Sequence, residues 1–231
     1  MAELVRVSAY CGVVLSLGTF FLGSWLKKKL KWRFLNPLLL SILFTVCLLL
    51  VCGVDYDSYN EGAKYLSYLL TPATVCLAVP LYEQFEVLKK NWRAVLTGIF
   101  SGVAASLLSI LAMAVLFSLE HEVYVTFLPK SITTAIGMGV SEELGGYVPV
   151  TVAVIIVTGV LGNVIAEPVL RLFRIQEPVA KGIALGTASH AIGTARAMEL
   201  GEVEGAMSSL SIAVAGILTA VLCPLAVNFL P

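Results

Sequence analysis

Charged side chains are scarce in this 231-residue chain. Asp, Glu, Lys and Arg make up 13% of it, about half the ~25% of an ordinary soluble domain. That leaves too little polar surface to cover a globule in water. An excess of either charge is missing too, because 15 basic residues balance 15 acidic ones. A basic footprint for nucleic acid is therefore excluded. The five cysteines, Cys11, Cys47, Cys52, Cys76 and Cys223, sit in apolar surroundings without C-x-x-C or Cys/His ligand spacing. They read as small hydrophobes, so neither disulfide, metal nor other cofactor is expected. Catalytic signatures such as G-x-S-x-G and H-E-x-x-H are also lacking. Ser189 and His190 are sequence neighbours and do not face each other on a helix, which makes a nucleophile–base contact awkward. The chain reads as a non-enzyme. Its start does not read as a cleaved signal, since the basic cluster Lys27, Lys28, Lys29 and Lys31 follows the first apolar run instead of preceding it.

What the chain has in abundance is long apolar runs, at 8–26, 35–53, 64–82, 94–118, 148–170 and 206–229. A helical crossing of the bilayer core needs roughly 20 such residues. The expected fold class is an all-α polytopic membrane protein of about six transmembrane helices in one membrane domain over 1–231, with the first four spans in 1–118. The loops KKKLKWR (27–33) and KKNWR (89–93) are basic and VDYDSYNEG (54–62) is acidic, so the positive-inside rule places the first two in the cytoplasm and the N-terminus outside. The next loop, LEHEV (119–123), is then external. If 126–146 crossed fully, Arg171, Arg174 and Lys181 would lie outside, against the rule; if it dips in and returns, they lie inside. The segment is polar and Gly-rich with Pro129 near its start, which suits a discontinuous or re-entrant segment surrounded by protein or water.

A repeat supports this. AIGMGVSEELG (135–145) and AIGTARAMELG (191–201) share the frame A-I-G-x5-E-L-G at an offset of 56, and the same offset carries Pro168 onto Pro224. Residues 126–173 and 182–229 thus read as two copies of one unit, a polar small-residue segment followed by an apolar helix. If each polar segment is re-entrant, each unit crosses once and the copies form an inverted repeat, a recurrent transporter design. The competing geometry, two broken helices that cross fully, gives parallel copies. Gly137 and Gly193 are the equivalent turn-permitting positions.

Ionisable and hydroxyl groups concentrate in the two polar segments: Lys130, Ser131, Thr133 and Thr134 in the first, Ser189, His190, Thr194 and Arg196 in the second. Ionisable groups at membrane depth are costly and functional by default, so these eight are the candidate substrate-binding residues. Against that, Lys130 could snorkel to the headgroups, Arg196 could simply pair with Glu199 one helical turn on, and His190 could be a hydrogen-bonded packing residue. Helix starts with unpaired N–H groups would add to an anion site. Asn36-Pro37 fits a helix start. Pro72 and Pro80 interrupt the third run, as a kink or as a further broken segment lined by Thr71 and Thr74.

LNPLL (35–39), YDSY (56–59), PLYEQ (80–84), LPKSITT (128–134) and GTASHAIGTARA (186–197) together resemble the LrgB/CidB family of bacterial membrane proteins. The resemblance implies a multi-pass protein of the cytoplasmic (inner) membrane, paired with a small LrgA/CidA-type partner or with copies of itself. It implies two functions. One is antiholin- or holin-like regulation of murein hydrolase activity and lysis. The other follows from a related plastid glycolate/glycerate translocator and from bacterial relatives linked to pyruvate uptake. It is transport of small monocarboxylates, an organic-acid class that includes lactate. Cations and hydroxyls on broken helices suit a carboxylate substrate, so transport is the expected function and lysis regulation the alternative.

Overall fold

A peptide group in an apolar medium must find its hydrogen bond within the protein, and this chain answers with helices. The computed structural model describes residues 10–30, 37–76 and 78–230; of Ser67, Leu70, Thr71 and Thr74 it describes the backbone only. Asn36, and the side chains of Thr71 and Thr74, lie outside the described residues. Among the described residues there are eleven α-helices and a closing 3-10 turn, and no strand. They fall into two compact units, 1–76 and 77–231.

The first unit holds α1 (Cys11–Leu30), α2 (Pro37–Cys52), α3 (Tyr56–Ser67) and α4 (Leu70–Cys76). Hydroxyls join its helices. Thr19 Oγ1 lies 3.0 Å from Ser41 Oγ and 2.9 Å from Thr45 Oγ1, and Ser16 Oγ lies 2.7 Å from the Tyr59 hydroxyl. Such bonds and small-residue contacts hold helices together where lipid removes the hydrophobic drive. The run 64–82, expected as a span interrupted at its prolines, is broken at 68–69 between α3 and α4, and its last residues belong to α5 (Ala78–Glu83). Pro72 is the third residue of α4. In a first turn the missing N–H costs nothing, so Pro72 is accommodated at the start of a new helix where it would have broken a long one.

In the second unit α5 is followed by α6 (Phe85–Leu116), α7 (His121–Phe127), α8 (Thr134–Glu143), α9 (Val148–Leu172), α10 (Pro178–Leu200) and α11 (Glu202–Ala226), with a 3-10 turn at Val227–Phe229. Among the described residues three helices are long and apolar enough to cross a membrane: Phe85–Leu116, Val148–Leu172 and Glu202–Phe229. Large apolar residues on them, including Leu108, Leu116, Val157, Ile217 and Val221, are exposed. Water would not tolerate so much contiguous apolar surface; lipid does.

The polar segments fold as hairpins. In the first, α7 leads in, residues 128–133 turn, and α8 leads back. Ser141 Oγ bonds Thr151 Oγ1 at 2.7 Å, and Thr151 donates to the Thr126 carbonyl at 3.0 Å. The start of α9 therefore lies beside both limbs. In the second, α10 is broken at His190, whose φ of 42° and ψ of −137° are not helical. The chain reverses there. A Cβ on Gly193 would stand 2.5 Å from the Leu185 carbonyl oxygen, eight residues back, a contact no straight helix permits. Past the break, Thr194 bonds Ser208 at 2.7 Å, while near the entry Lys181 faces Glu204 at 3.7 Å. Both limbs of α10 thus lie along the start of α11.

Two apolar clusters show how the hairpins are seated. Val95, Ile99 and Val103 of α6 pack with Val179 and Ile183 of α10 and with Ala206, Met207 and Ala215 of α11. Further along α6, Ile110 and Ala114 pack with Tyr124, Val125 and Leu128 beside α8's Val140 and with Cys223 and Ala226 of α11. The α7–α8 and α10 hairpins thus occupy different stretches of one α6–α11 spine. The helical repeat signal has a geometric counterpart: Gly137 faces the Pro129 carbonyl as Gly193 faces that of Leu185, and both pairs are 56 positions apart.

Candidate functional site

The two hairpin tips approach each other on α9 and α6. On α9, the Ile155 side chain fills the space beside Gly137, and the Ile155 carbonyl accepts a 3.0 Å bond from His190 Nε2. A carbonyl only accepts, so Nε2 carries the proton in the neutral ring. One turn on, Gly159 lies under the His190 ring, where a Cβ would be 2.7 Å from Cε1. Asn163 Nδ2 donates to the Ile192 carbonyl at 2.9 Å, caring for a backbone oxygen close to the break. Gly162 faces Ser189 so closely that its Cβ would meet the hydroxyl. His190 is thus buried and pinned at a left-handed backbone position, the kind that concentrates at functional sites.

On α6 the contacts follow a single stripe. Gly98 faces Ile183, Gly102 faces Thr187, and Ser106 Oγ lies 3.1 Å from Ser131 Oγ. Lys130 Nζ reaches Ser131 Oγ at 3.0 Å and Ser106 Oγ at 3.3 Å, and bonds no carboxylate among the described residues. Ser131 is buried, Lys130, Thr133 and Thr134 partly so. Thr133 precedes α8 with extended backbone and makes no side-chain capping bond, so the first N–H groups of α8 look toward the turn without a cap from its own chain. Thr187 Oγ1 is the one buried side-chain polar atom lacking a hydrogen bond among the described residues, a condition that costs about 1–3 kcal/mol.

The eight candidate residues are not all in one place. Lys130, Ser131, Thr133, Thr134, Ser189 and His190 belong to the tips. Thr194, one turn beyond the break, bonds the His190 carbonyl at 3.1 Å and Ser208, so it braces the returning limb. Arg196 stands further out, ion-paired with Glu167 of α9 and with Glu199. It does not join Lys130. Thr187, Ser106, Ile155 and Asn163 were missed at the sequence level. The spacing Gly98, Gly102, Ser106 and the polar Asn163 inside an apolar run were available signals.

The Arg196–Glu167 pair is half-buried and links the returning limb to α9. Replacing either by Gln is expected to lower the thermal midpoint in detergent. The Arg196→Gln/Glu167→Gln double variant should be little worse than the poorer single one, with a coupling of about 1 kcal/mol. Additive losses would show the pair to be energetically idle.

Exposed apolar spans, hairpins that reverse within the helical layer and a polar tip region define a helical membrane protein. Its family follows from comparison. The profile of the LrgB-like family matches residues 16–229, and the chain belongs to that family. It is 37% identical over 225 residues to the antiholin-like protein LrgB of Bacillus cereus (strain B4264), covering 97% of this chain and 98% of that one. The antiholin-like protein LrgB of Bacillus anthracis (strain CDC 684 / NRRL 3495) matches to the same extent. No solved structure matches the chain.

Proposed function

We propose that the chain passes a small organic anion across the cytoplasmic membrane between the two hairpin tips, and that the antiholin-like role named for its relatives is exerted through that passage. The observation that supports this is the approach of both tips to Ile155, with Lys130 beside them bonding hydroxyls alone. A pathway needs polar backbone and side chains at depth, shielded from lipid, and discontinuous helices meeting at mid-membrane supply them in transporters. On this reading 126–173 and 182–229 are an inverted repeat. Arg171, Arg174 and Lys181 face the cytoplasm and Glu122 faces outside, as the charge rule asks. The solute belongs to the small monocarboxylates, of the pyruvate, glycolate, glycerate or lactate type. The protein has no enzymatic step, and a small LrgA/CidA-type membrane protein or a second copy is its partner.

A second reading has its own support. The relatives' printed name, antiholin-like, speaks for control of lysis more directly than for any substrate. In that reading the chain forms or blocks a hole and selects no solute. Purified protein in liposomes separates the two: translocation gives saturable uptake of pyruvate, glycolate or lactate that sulfate and glucose do not share. Unselective leakage, or no flux beside an intact lysis phenotype in cells, would leave the lysis reading.

The orientation has its own check. A single Cys at position 120 should react with an impermeant reagent from outside, and one at 176 only after the membrane is opened. The reverse pattern at either position would end the re-entrant arrangement.

A further inference from the structure

Away from the tips, where α10 begins and its returning limb ends, lies a cavity of about 460 Å³, within the size range of small-ligand sites. Arg171 from the end of α9, Arg174 from the connecting loop and Lys181 from α10 line it, together with Glu167, and Leu170 and Leu200 add apolar wall. The lining thus carries three cations and one carboxylate. That carboxylate is already committed, since Glu167 pairs with Arg171 at 3.2 Å and also with Arg196. Arg174 pairs with no carboxylate among the described residues. Lys181 faces Glu204 at 3.7 Å, beyond hydrogen-bond reach, and an ammonium has three donors to place. Arg174 sits at φ 55°, in the left-handed position that ends a helix, and the next residue closes the turn with a 2.8 Å bond from Ile175 N–H to the Leu170 carbonyl. The backbone at this turn is thereby fixed.

We infer that this cavity binds a phosphate group, on a lipid headgroup or on a soluble phosphate compound, through Arg174, Arg171 and Lys181. A carboxylate is satisfied by one guanidinium fork, whereas a phosphate has oxygens enough for several cations, and arginine matches its geometry in bidentate fashion. Basic pockets at the cytoplasmic ends of membrane helices take lipid phosphates by the same chemistry. The apolar wall suits a ligand that continues into a hydrocarbon or ester portion. An anion held here bridges the end of α9 to the first turn of α10, so it fastens the α10 hairpin at the end remote from its tip.

The test uses the purified full-length protein in a zwitterionic detergent at fixed ionic strength, with thermal unfolding as readout. Inorganic phosphate and dihexanoyl phosphatidylglycerol are titrated separately, with dihexanoylglycerol, which carries no phosphate, as the neutral control. A saturable rise in midpoint is expected with at least one of the two anions and not with the control. A response to phosphatidylglycerol alone assigns the site to lipid; a response to both assigns it to the phosphate group itself. Arg174→Gln should weaken the apparent affinity about tenfold, the loss of one charge-assisted contact, whereas Arg93→Gln, outside the cavity, should not. If Arg174→Gln fails to fold, Lys181→Gln carries the same expectation. No saturable shift with either anion, or equal affinity in the folded cavity variants, overturns the assignment. The readout involves no flux, so it stands or falls apart from the translocation reading.

Discussion

Gly193→Ala is expected to abolish function, while Gly137→Ala at the equivalent position of the other hairpin is expected to be tolerated. The repeat makes the two glycines look interchangeable, but their neighbours differ. A methyl on Gly193 would meet the Leu185 carbonyl oxygen at 2.5 Å and Ser189 Cβ at 2.6 Å. Both lie on the incoming limb, which is clamped by Gly162 and Gly102, so neither can retreat. Beside Gly137 the closest atom is the terminal methyl of Ile155, a flexible end, and the Pro129 carbonyl lies at 3.5 Å. A rotamer change there makes room at a cost of order 1 kcal/mol. Overpacking against backbone costs typically 1–3 kcal/mol or more, enough to spring the second hairpin from its seat. The measurement is substrate flux in liposomes, or restoration of the lysis phenotype in a deletion strain, at matched membrane abundance. Gly139→Ala, where nothing lies within 4 Å, is the control for helix propensity. Equal behaviour of the 193 and 137 variants would show that the reversal at His190 does not carry function.

Lys130→Gln is expected to raise the apparent KM for a monocarboxylate by tenfold or more, with little change in maximal rate. Its amine reaches two hydroxyls and no carboxylate among the described residues, so no protein carboxylate competes there with an anionic solute. Losing a charge-assisted contact of ground-state binding appears in KM. Ser106→Ala removes only a supporting hydroxyl and should shift KM a few-fold, and Lys130→Arg should recover part of the loss. Concentration-dependent uptake of labelled pyruvate decides it. An unchanged KM in Lys130→Gln would remove the lysine from the pathway.

Much of this architecture could be read from the chain. The apolar runs fixed the helical membrane class, because hydropathy over some twenty residues is a strong signal. The A-I-G-x5-E-L-G frame located both hairpins, since a small residue is required where two backbones touch. The partners of the charges were not legible. Arg196 was grouped with Lys130 because both are cations in matching polar segments. Its real neighbour, Glu167, lies 29 positions earlier near the end of another helix, and only the fold-back of the returning limb brings them together. Glu199, the partner visible at helical spacing, was one half of the answer. His190 drew attention through its titrating ring, whereas its ring nitrogen and its left-handed backbone both serve the turn. In the third apolar run the interruption expected at Pro72 appears as a helix break at 68–69, just before the helix that holds this proline.

Ile155 touches both hairpins with different parts of itself. Its side chain lies against Gly137 and its carbonyl holds His190. One residue is therefore a contact common to both hairpins. If the α10 hairpin swings away, the bond to His190 is broken and the local helix of α9 is free to relax, which changes the seat of the α7–α8 hairpin. The reverse holds equally, because free-energy coupling between two sites is reciprocal. Movement of one hairpin is thereby tied to the footing of the other, so the two polar segments behave as one linked element of the fold.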